Sequence, residues 1–476
     1  MSGGIAPAVP VPFWTLDRAG EALAAVLGAA APRGPEALLA VSTDTRAVVP
    51  GDLFVALAGE RYDAHDFLGD AVARGARALV VHDAARAADV AVPAYVVRDT
   101  REALGLLARY RRRAWAAPGR AVVGVAGSNG KTSTKELLRA ALGAARAVHA
   151  TAGNFNNLVG VPLTLLALPD GADVAVVEMG TNAPGEIAAL RSIVEPDVVV
   201  MTSIGEEHLE GLGDLAGVLR EESEAFDGAA LAVVPADQPE IAAAAGGRAG
   251  AVVTAGLDAG DVHAERWALS GDGTGVVVVG GVEVRTPLRG AHNLRNTMLA
   301  VAVARALGVS LADAARGLAA MPVPSMRTAW TTLGDATLIN DAYNANPPSA
   351  RAALDLLAAA GRAGGAASAR QRVAVLGTMR ELGPDAPALH DAVARHALAL
   401  GIELVAGVGE FAAALARVAP GDARVVTAED PAALWPRLEP RLAADGVILL
   451  KGSRGVRLEQ LLPFLEAWAT AGATRA

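Results

Sequence analysis

The stretch "GVAGSNGKTS", residues 124–133, closes an apolar run and opens an amphipathic one. Two glycines, a lysine and two hydroxyl residues between a strand pattern and a helix pattern leave few local folds open. A strand that feeds a glycine loop and then a helix aims several backbone N–H groups and the positive helix end at one point, which suits a polyphosphate. In that arrangement Gly127, Ser128, Asn129 and Gly130 form a cradle and Lys131 meets the outer phosphates. Thr132, or less favourably Ser133, places a hydroxyl on a bridging magnesium ion. The spacing is incomplete, because Val125 stands where the full phosphate-loop pattern has its first glycine. Taken alone, the loop also reads as an ordinary turn.

The runs around it set the fold class. "AVVGVAG", "DVAVVEMG", "PDVVVMTSIG", "LAVVPAD" and "AVVTAG" are short β-branched runs separated by helical stretches, the pattern of a parallel sheet buried on both faces. Residues 265–288 instead read as hairpins turning at "GDGTG" and "GG". Before this segment, residues 15–115 alternate helices and short apolar runs and end in the basic helix "LGLLARYRRRAW". Its run Arg111 to Arg113 reads as a solvated helix end. After "PVPSMR" a further α/β series begins, with "TLINDAYNANP", "RVAVLGT", "IELVAGVG", "ARVVT" and "GVILLKGS". Residues 359–369 read as a flexible Gly/Ala connection. At 476 residues the chain exceeds what one core organises, and about three domains are expected. The expectation is a three-domain α/β protein: a small N-terminal α/β domain over 1–118, a central P-loop-type parallel sheet with helices over 119–326, and a Rossmann-like C-terminal α/β domain over 327–476.

Two carboxylate or imidazole residues follow the loop at strand ends, where parallel sheets meet their ligands. "VVEMG" places Glu178 there as a hard oxygen ligand, and "SIGEEHLE" places His208 as a further metal position. Each singly reads as a cap or a satisfied polar group. Following a phosphate loop, they point together to a magnesium–ATP site.

Charge narrows the partners. A net charge of −9 argues against a general nucleic-acid or anionic-membrane surface, so any anion site is local. With no cysteine, disulfides, thiolate metal sites and a cysteine nucleophile are excluded. The start "MSGGIAPAVPVPFW" has no basic leader before an apolar core, and residues 147–169, though uncharged, carry Asn154, Asn156, Asn157 and Pro162. A cytoplasmic protein without membrane insertion is the expectation.

The motifs "GSNGKTS", "TAGNFNN", "VVEMG", "GEEHLEGLG", "GAHNLRN", "NDAYNANP" and "LLKGSRG" together resemble the Mur ligase family of cell-wall precursor enzymes, along nearly the whole chain. "NDAYNANP" and "TAGNFNNLVGVP" resemble the branch that adds D-alanyl-D-alanine to UDP-N-acetylmuramoyl-tripeptide, and the Asp-Asn-Pro-Arg signature of the diamino-acid-adding branch is missing. The resemblance implies ATP and Mg2+ as cofactors, those two substrates as partners, and a monomer. It implies that Ser42, Asp44, Thr45 and Arg46 meet the UDP-sugar and that Asn154, Asn156 and Asn157 orient the precursor. It further implies that His292, Asn293 and Asn296 approach ATP, that Arg327 steadies the outer phosphate, and that Asp341 and Asn344 reach the nucleotide. Lys451, Ser453 and Arg454 would meet a carboxylate or phosphate.

Where the family usually carries a lysine modified to a carbamate near magnesium, this chain has Glu222 in "LREESEAF". The expectation is that Glu222 replaces the carbamate with an unmodified carboxylate, with a reach shorter by about 4 Å. Lys131, His208, Glu222 and Arg327 are the expected catalytic set. Thr378 stands where the family often has Asp, and Ala64 where Gly is common. The rivals are another amide ligase of the same family, diamino-acid-adding or folate-extending, and a P-loop switch. Against the switch, neither an Asn-Lys-x-Asp nor a Leu-Ser-Gly-Gly stretch occurs.

Overall fold

The computed structural model describes residues 12–59, 61–323, 329–360 and 370–473. These form a multi-domain α/β protein whose chain divides into two compact units. The first comprises Met1–Arg120, Thr151–Ala172 and Ala189–Glu195, the second Ala121–Ala150, Asp173–Ala188 and Pro196–Ala476. Arg327 and most of "PVPSMR" lie outside the described residues, as does the Gly/Ala connection beyond Ala360, where the helix Pro347–Ala360 ends.

In the first unit, β1 (Trp14–Thr15) pairs antiparallel with β2 (Ala37–Leu38). Four parallel strands, β3 (Val41–Ser42), β4 (Leu53–Val55), β5 (Ala78–Val81) and β6 (Ala94–Val96), lie side by side in chain order. Strands β4 and β5 are buried on both faces because every residue in them is apolar, as a covered parallel sheet demands. The helix Thr100–Trp115 starts where Asp99 accepts from the Arg101 and Glu102 N–H groups, and it lays Leu104 and Leu107 on the core with Tyr95 and Leu53.

The arginine run on this helix is not solvated as its charge suggests. Arg111 and Arg112 are 5% and 7% exposed, and only Arg113 reaches water. Arg112 donates to the carbonyls of Val194 and Glu195 at 3.2 and 2.8 Å, satisfying the open end of a helix. Arg111 donates to Leu168 O and Asp170 at 2.6 Å and covers the Phe13 ring. Helix ends carry orphan carbonyls, and a guanidinium is flat and rich enough in donors to serve them while buried. Arg112→Met, which keeps the aliphatic bulk, is expected to lower unfolding free energy by about 2 kcal/mol, since two buried acceptors lose a charged donor. Urea unfolding of the two proteins checks this, and an unchanged midpoint would show those carbonyls to be served otherwise.

Ala64, at the departure from glycine, begins a short 3-10 turn, donates its N–H to Leu57 O, and packs beside Phe54 and Val48.

The second unit opens with a seven-stranded, wholly parallel sheet. Its strands are β7 (Ala121–Ala126), β8 (Val148–Ala150), β9 (Val174–Glu178), β10 (Val198–Met201), β11 (Leu231–Pro235), β12 (Val252–Gly256) and β13 (Val262–His263), in spatial order β13-β12-β11-β10-β7-β9-β8. The chain runs from β7 to β8 and β9 on one side, then crosses to β10 on the other. That reversal opens a crevice beyond the C-terminal ends of β7, β9 and β10, the place such sheets bind ligands. The antiparallel meander β14 (Arg266–Leu269), β15 (Thr274–Val279) and β16 (Val282–Arg289) matches the expected hairpins. The apolar helix Ala291–Ala306 is buried against the helix Lys131–Gly143.

The same unit ends in a six-stranded sheet of order β17-β18-β22-β19-β20-β21, in which only β17 runs antiparallel. Its members are β17 (Ala329–Leu333), β18 (Ala336–Asp341), β19 (Arg372–Leu376), β20 (Leu404–Val408), β21 (Val425–Ala428) and β22 (Val447–Lys451). Separate apolar cores cover its two faces, one with Leu354, Val393 and Phe411, the other with Leu434, Leu461 and Leu465. This is the doubly wound arrangement, and the insertion of β22 between β18 and β19 sets a second crevice at their C-terminal ends.

Candidate functional site

The loop after β7 is built by two glycines with positive φ, 111° at Gly127 and 87° at Gly130. A Cβ on Gly127 would stand 2.6 Å from Thr202 Oγ1 and 2.8 Å from Ser203 O, and one on Gly130 would stand 2.7 Å from Asn296 Nδ2. Side chains are excluded twice, by the dihedral and by the close approach. The loop is pinned to the segment after β10. Ser128 N–H donates to Ser203 O at 2.7 Å, Asn129 N–H to Ser203 Oγ at 3.2 Å, and Ser128 Oγ both donates to Gly205 O and accepts from Gly205 N–H. Helix Lys131–Gly143 then begins, and its first amides point out of the helix without i−4 partners.

Lys131 folds back over this loop, donating to the carbonyls of Gly127 and Ser128. Its ammonium stands 3.7 Å from Glu207 Oε1. Thr132 Oγ1 donates to Glu178 Oε1 at 3.1 Å, and both residues are buried. A hydroxyl and a carboxylate in contact at the head of a phosphate loop are the hard oxygen donors that a magnesium ion bridging phosphates takes. Among the described residues, no three His, Asp or Glu side chains group closely enough to hold a metal by themselves. The fit is therefore to an ion that also takes oxygens from a bound phosphate.

Glu222 is wholly buried on the helix Leu215–Ser223, and its Oε2 accepts the Gly127 N–H at 2.8 Å. The unmodified carboxylate thus touches the phosphate loop directly, the reach deficit notwithstanding. Among the described residues, its Oε1 has no hydrogen-bond partner. Burial pushes this carboxyl up to about 7, against the pull of Lys131. Burial raises Glu207 as well, although Lys131 and His208 oppose it.

The other expected residues fall into several settings. His208, at φ 51°, meets Glu381 through Nδ1, and its Nε2 lies 3.8 Å from Glu207 Oε2. Asn296 covers the loop at Gly130. Asn293 donates to Arg289 O at 2.8 Å and lies 3.1 Å from His292 Nε2. Burial holds His292 down to about 4, so its imidazole is neutral.

Asp341 and Lys451, opposite each other on β18 and β22, are joined at 2.6 Å, and Lys451 also donates to Asn344 O at 2.9 Å. Ser453 accepts from Arg380 N–H, and Arg454 lies over the Tyr343 ring. Asn344, Ser453 and Arg454, together with Glu207 and His208, line a cavity of about 270 Å³. Arg380, Glu381, Tyr343 and Asn346 line it too, and none of them was reached from sequence. Their one signal was position: each follows the C-terminal end of β18 or β19.

Within the first unit, Asp44 caps the turn Thr45–Ala47, and its hydrogen bonds from Arg46 hold its carboxyl down at about 2, while Ser42 Oγ donates to Asp44 O. Asn157 accepts from the Val159 and Gly160 N–H groups at 3.1 and 2.9 Å, the role of a helix cap. Asn156 N–H donates to Asn154 O at 2.7 Å. Thr378 Oγ1 accepts from Glu410 N–H at 3.0 Å, so a hydroxyl supplies the acceptor there in place of the expected carboxylate.

Comparison with known proteins agrees with this geometry. The family model of the Mur ligase middle domain matches residues 125–304, that of the Mur ligase glutamate ligase domain matches 326–454, and that of the Mur ligase family catalytic domain matches 39–112. The UDP-N-acetylmuramoyl-tripeptide--D-alanyl-D-alanine ligase of Escherichia coli (strain K12) is 37% identical over 439 residues, 90% of this chain and 93% of that protein. A crystal structure of MurF from Acinetobacter baumannii matches with a TM-score of 0.86 at 32% identity, covering 96% of this chain and 100% of that one. The MurF ligase of Thermotoga maritima in complex with ADP matches with a TM-score of 0.79 at 26% identity, covering 92% and 98%. With its phosphate loop at the switch point of a parallel sheet and this likeness along its length, the chain belongs to the Mur ligase family.

Proposed function

We propose that the chain joins D-alanyl-D-alanine to UDP-N-acetylmuramoyl-tripeptide at the expense of ATP, releasing ADP and phosphate, in peptidoglycan precursor synthesis. The observation that carries this reading is Lys131 and Thr132 at the phosphate loop with Glu178, from the end of β9, against Thr132, in a chain similar over nine-tenths of its length to a relative named for that reaction. The ADP held by the Thermotoga maritima relative supports ATP as the energy source. We read the stretches 1–118, 119–326 and 327–476 as the parts that serve the UDP-precursor, ATP and the closing of the site. The protein acts as a cytoplasmic monomer in this reading. Among the described residues, no helix is long and apolar enough to cross a membrane.

The chemistry follows from what a carboxylate lacks. Its oxygen is a poor leaving group, so an oxygen of the tripeptide's terminal carboxylate attacks the γ-phosphorus and ADP departs, giving an acyl phosphate. Lys131 balances the charge spread over the transferring oxygens, and Arg327 is assigned the same role by family likeness. Thr132 and Glu178, with His208 as the further position, would hold magnesium, which would supply positive charge against the phosphates. The dipeptide amine then attacks the acyl carbon, loses a proton, and phosphate leaves through a tetrahedral intermediate. Holding three reactants in register and keeping water away is the protein's main contribution.

Sustained ADP release is expected only with ATP, the tripeptide precursor and D-alanyl-D-alanine all present. Turnover without the dipeptide would favour a switch, and preference for a diamino acid or a folate substrate would favour a sibling ligase.

A further inference from the structure

The loop after β19, residues 377–383, brings Arg380 and Glu381 to the cavity, and its backbone is held by three hydrogen bonds to His390 and Ser453. Met379 N–H donates to His390 Nε2 at 2.9 Å, Arg380 N–H donates to Ser453 Oγ at 3.1 Å, and Ser453 N–H donates to Thr378 O at 3.1 Å. Because His390 Nε2 accepts, its Nδ1 carries the proton and donates to Ala386 O at 2.6 Å, and the ring is fully buried.

This anchoring presents Glu381. Its φ of 63° lies in the left-handed region, which costs a non-glycine residue something and persists where surrounding contacts enforce it. Here the Glu381 carbonyl accepts Glu210 N–H at 3.2 Å, and the carboxylate engages His208 Nδ1. His208 has a positive φ of its own, 51°. Among the described residues only four non-glycines have positive φ, and two of them meet here side chain to side chain. Beyond His208 the contacts continue: Nε2 lies 3.8 Å from Glu207 Oε2, and Glu207 Oε1 lies 3.7 Å from Lys131 Nζ. Carboxylate, imidazole, carboxylate and ammonium alternate from this loop to the phosphate loop.

We propose that Glu381 is a positioning residue for the ligase reaction: by accepting from Nδ1–H it fixes the His208 ring with its proton on Nδ1 and Nε2 turned toward Glu207 and Lys131. Which ring nitrogen of a histidine carries the proton is set by the hydrogen bond that its other nitrogen makes, and partners of this kind are worth about 10- to 100-fold in activity. The docking of residues 377–383 thereby becomes a condition for a correctly presented His208. The kinetic part of this inference rests on the ATP-dependent reading above, whereas the tautomer is a property of the protein without ligands.

Glu381→Gly isolates the carboxylate, because glycine takes φ 63° without strain and leaves the loop conformation intact. Nitrogen NMR of the full-length protein labelled at its eight histidines, with His208 assigned through His208→Gln, reads the tautomer directly. The expected wild-type signal is a proton held on Nδ1. Glu381→Gly is expected to lose that fixed tautomer and to lower kcat about 10- to 100-fold with KM for ATP within about twofold. Glu381→Gln, whose amide oxygen still accepts, is expected to restore the tautomer and most of kcat. A wild-type His208 with no proton on Nδ1, or a Glu381→Gly protein with the Nδ1 signal and kcat unchanged, overturns the proposal. ADP titration of the same samples keeps the two readings apart, since failure to bind nucleotide would strike the ligase reading and leave the tautomer result standing.

Discussion

Lys131→Ala is expected to lower kcat/KM by about a thousandfold, some 4 kcal/mol of transition-state stabilisation, while the protein stays folded. The ammonium lies at the mouth of the loop, 12% exposed, with loop carbonyls and one face of Glu207 as its neighbours. On phosphate transfer the developing charge on the γ-oxygens becomes a stronger partner than these. An interaction that grows in the transition state appears in kcat more than in KM. Removing it has a second effect. Lys131 is the strongest force opposing the burial of Glu207 and Glu222, so without it both carboxyls hold their protons more tightly. A neutral carboxyl is tolerated in a buried site, which is why the loss is catalytic and not structural. Lys131→Arg is expected to recover little, since a planar fork does not fit where a compact ammonium sits against the Gly127 carbonyl. Steady-state kinetics with trapping of the acyl phosphate checks both variants. Activity within tenfold of wild type in Lys131→Ala would remove the phosphate loop from the reaction.

Much of this arrangement is legible in the chain because it is local. The strands β7, β9, β10 and β11 announce themselves as β-branched runs, since a strand covered on both faces has no reason to alternate. The loop residues 127–132 carry their chemistry in consecutive positions, and Glu178 is found by standing at the end of such a run. What the sequence hides is the long-range pairing. His208 and Glu381 are 173 positions apart, Asp341 and Lys451 are 110 apart, and no periodicity marks a side chain for a partner that distant. Arg111 and Arg112 mislead for a related reason: charge on a helix implies water unless one knows that carbonyls from residues 168–195 lie against it. Asn157 shows the opposite case. Its helix-capping bonds are local and use a pattern any sequence displays, so the role in precursor binding rests on family likeness and not on this geometry.

Glu222→Gln is expected to separate stability from activity. Burial raises the Glu222 carboxyl from 4.5 to about 7, so between those pH values the folded protein keeps a proton that the unfolded chain has released. Folding then takes up a proton, and stability falls as pH rises from 4.5 towards 7 and levels off above it. The span amounts to roughly 3 kcal/mol at full effect, from about 1.4 kcal/mol per unit. Glutamine does not titrate. Urea unfolding at pH 5 and pH 8 is therefore expected to show the variant gaining on wild type by roughly 2–3 kcal/mol across that interval, whatever its absolute stability. Its amide oxygen can still accept the Gly127 N–H, so the loop keeps its shape. Activity moves the other way. If the carboxylate on the phosphate loop supplies the negative charge that a carbamate supplies elsewhere in the family, the variant loses about a hundredfold in kcat. Bicarbonate then changes nothing in the wild-type enzyme, because no carbamate has to form. A wild-type activity that rises when bicarbonate is returned to depleted enzyme would place the essential charge on another residue. A stability difference that stays flat from pH 5 to pH 8 would mean that Glu222 is ionised in the folded protein throughout that range.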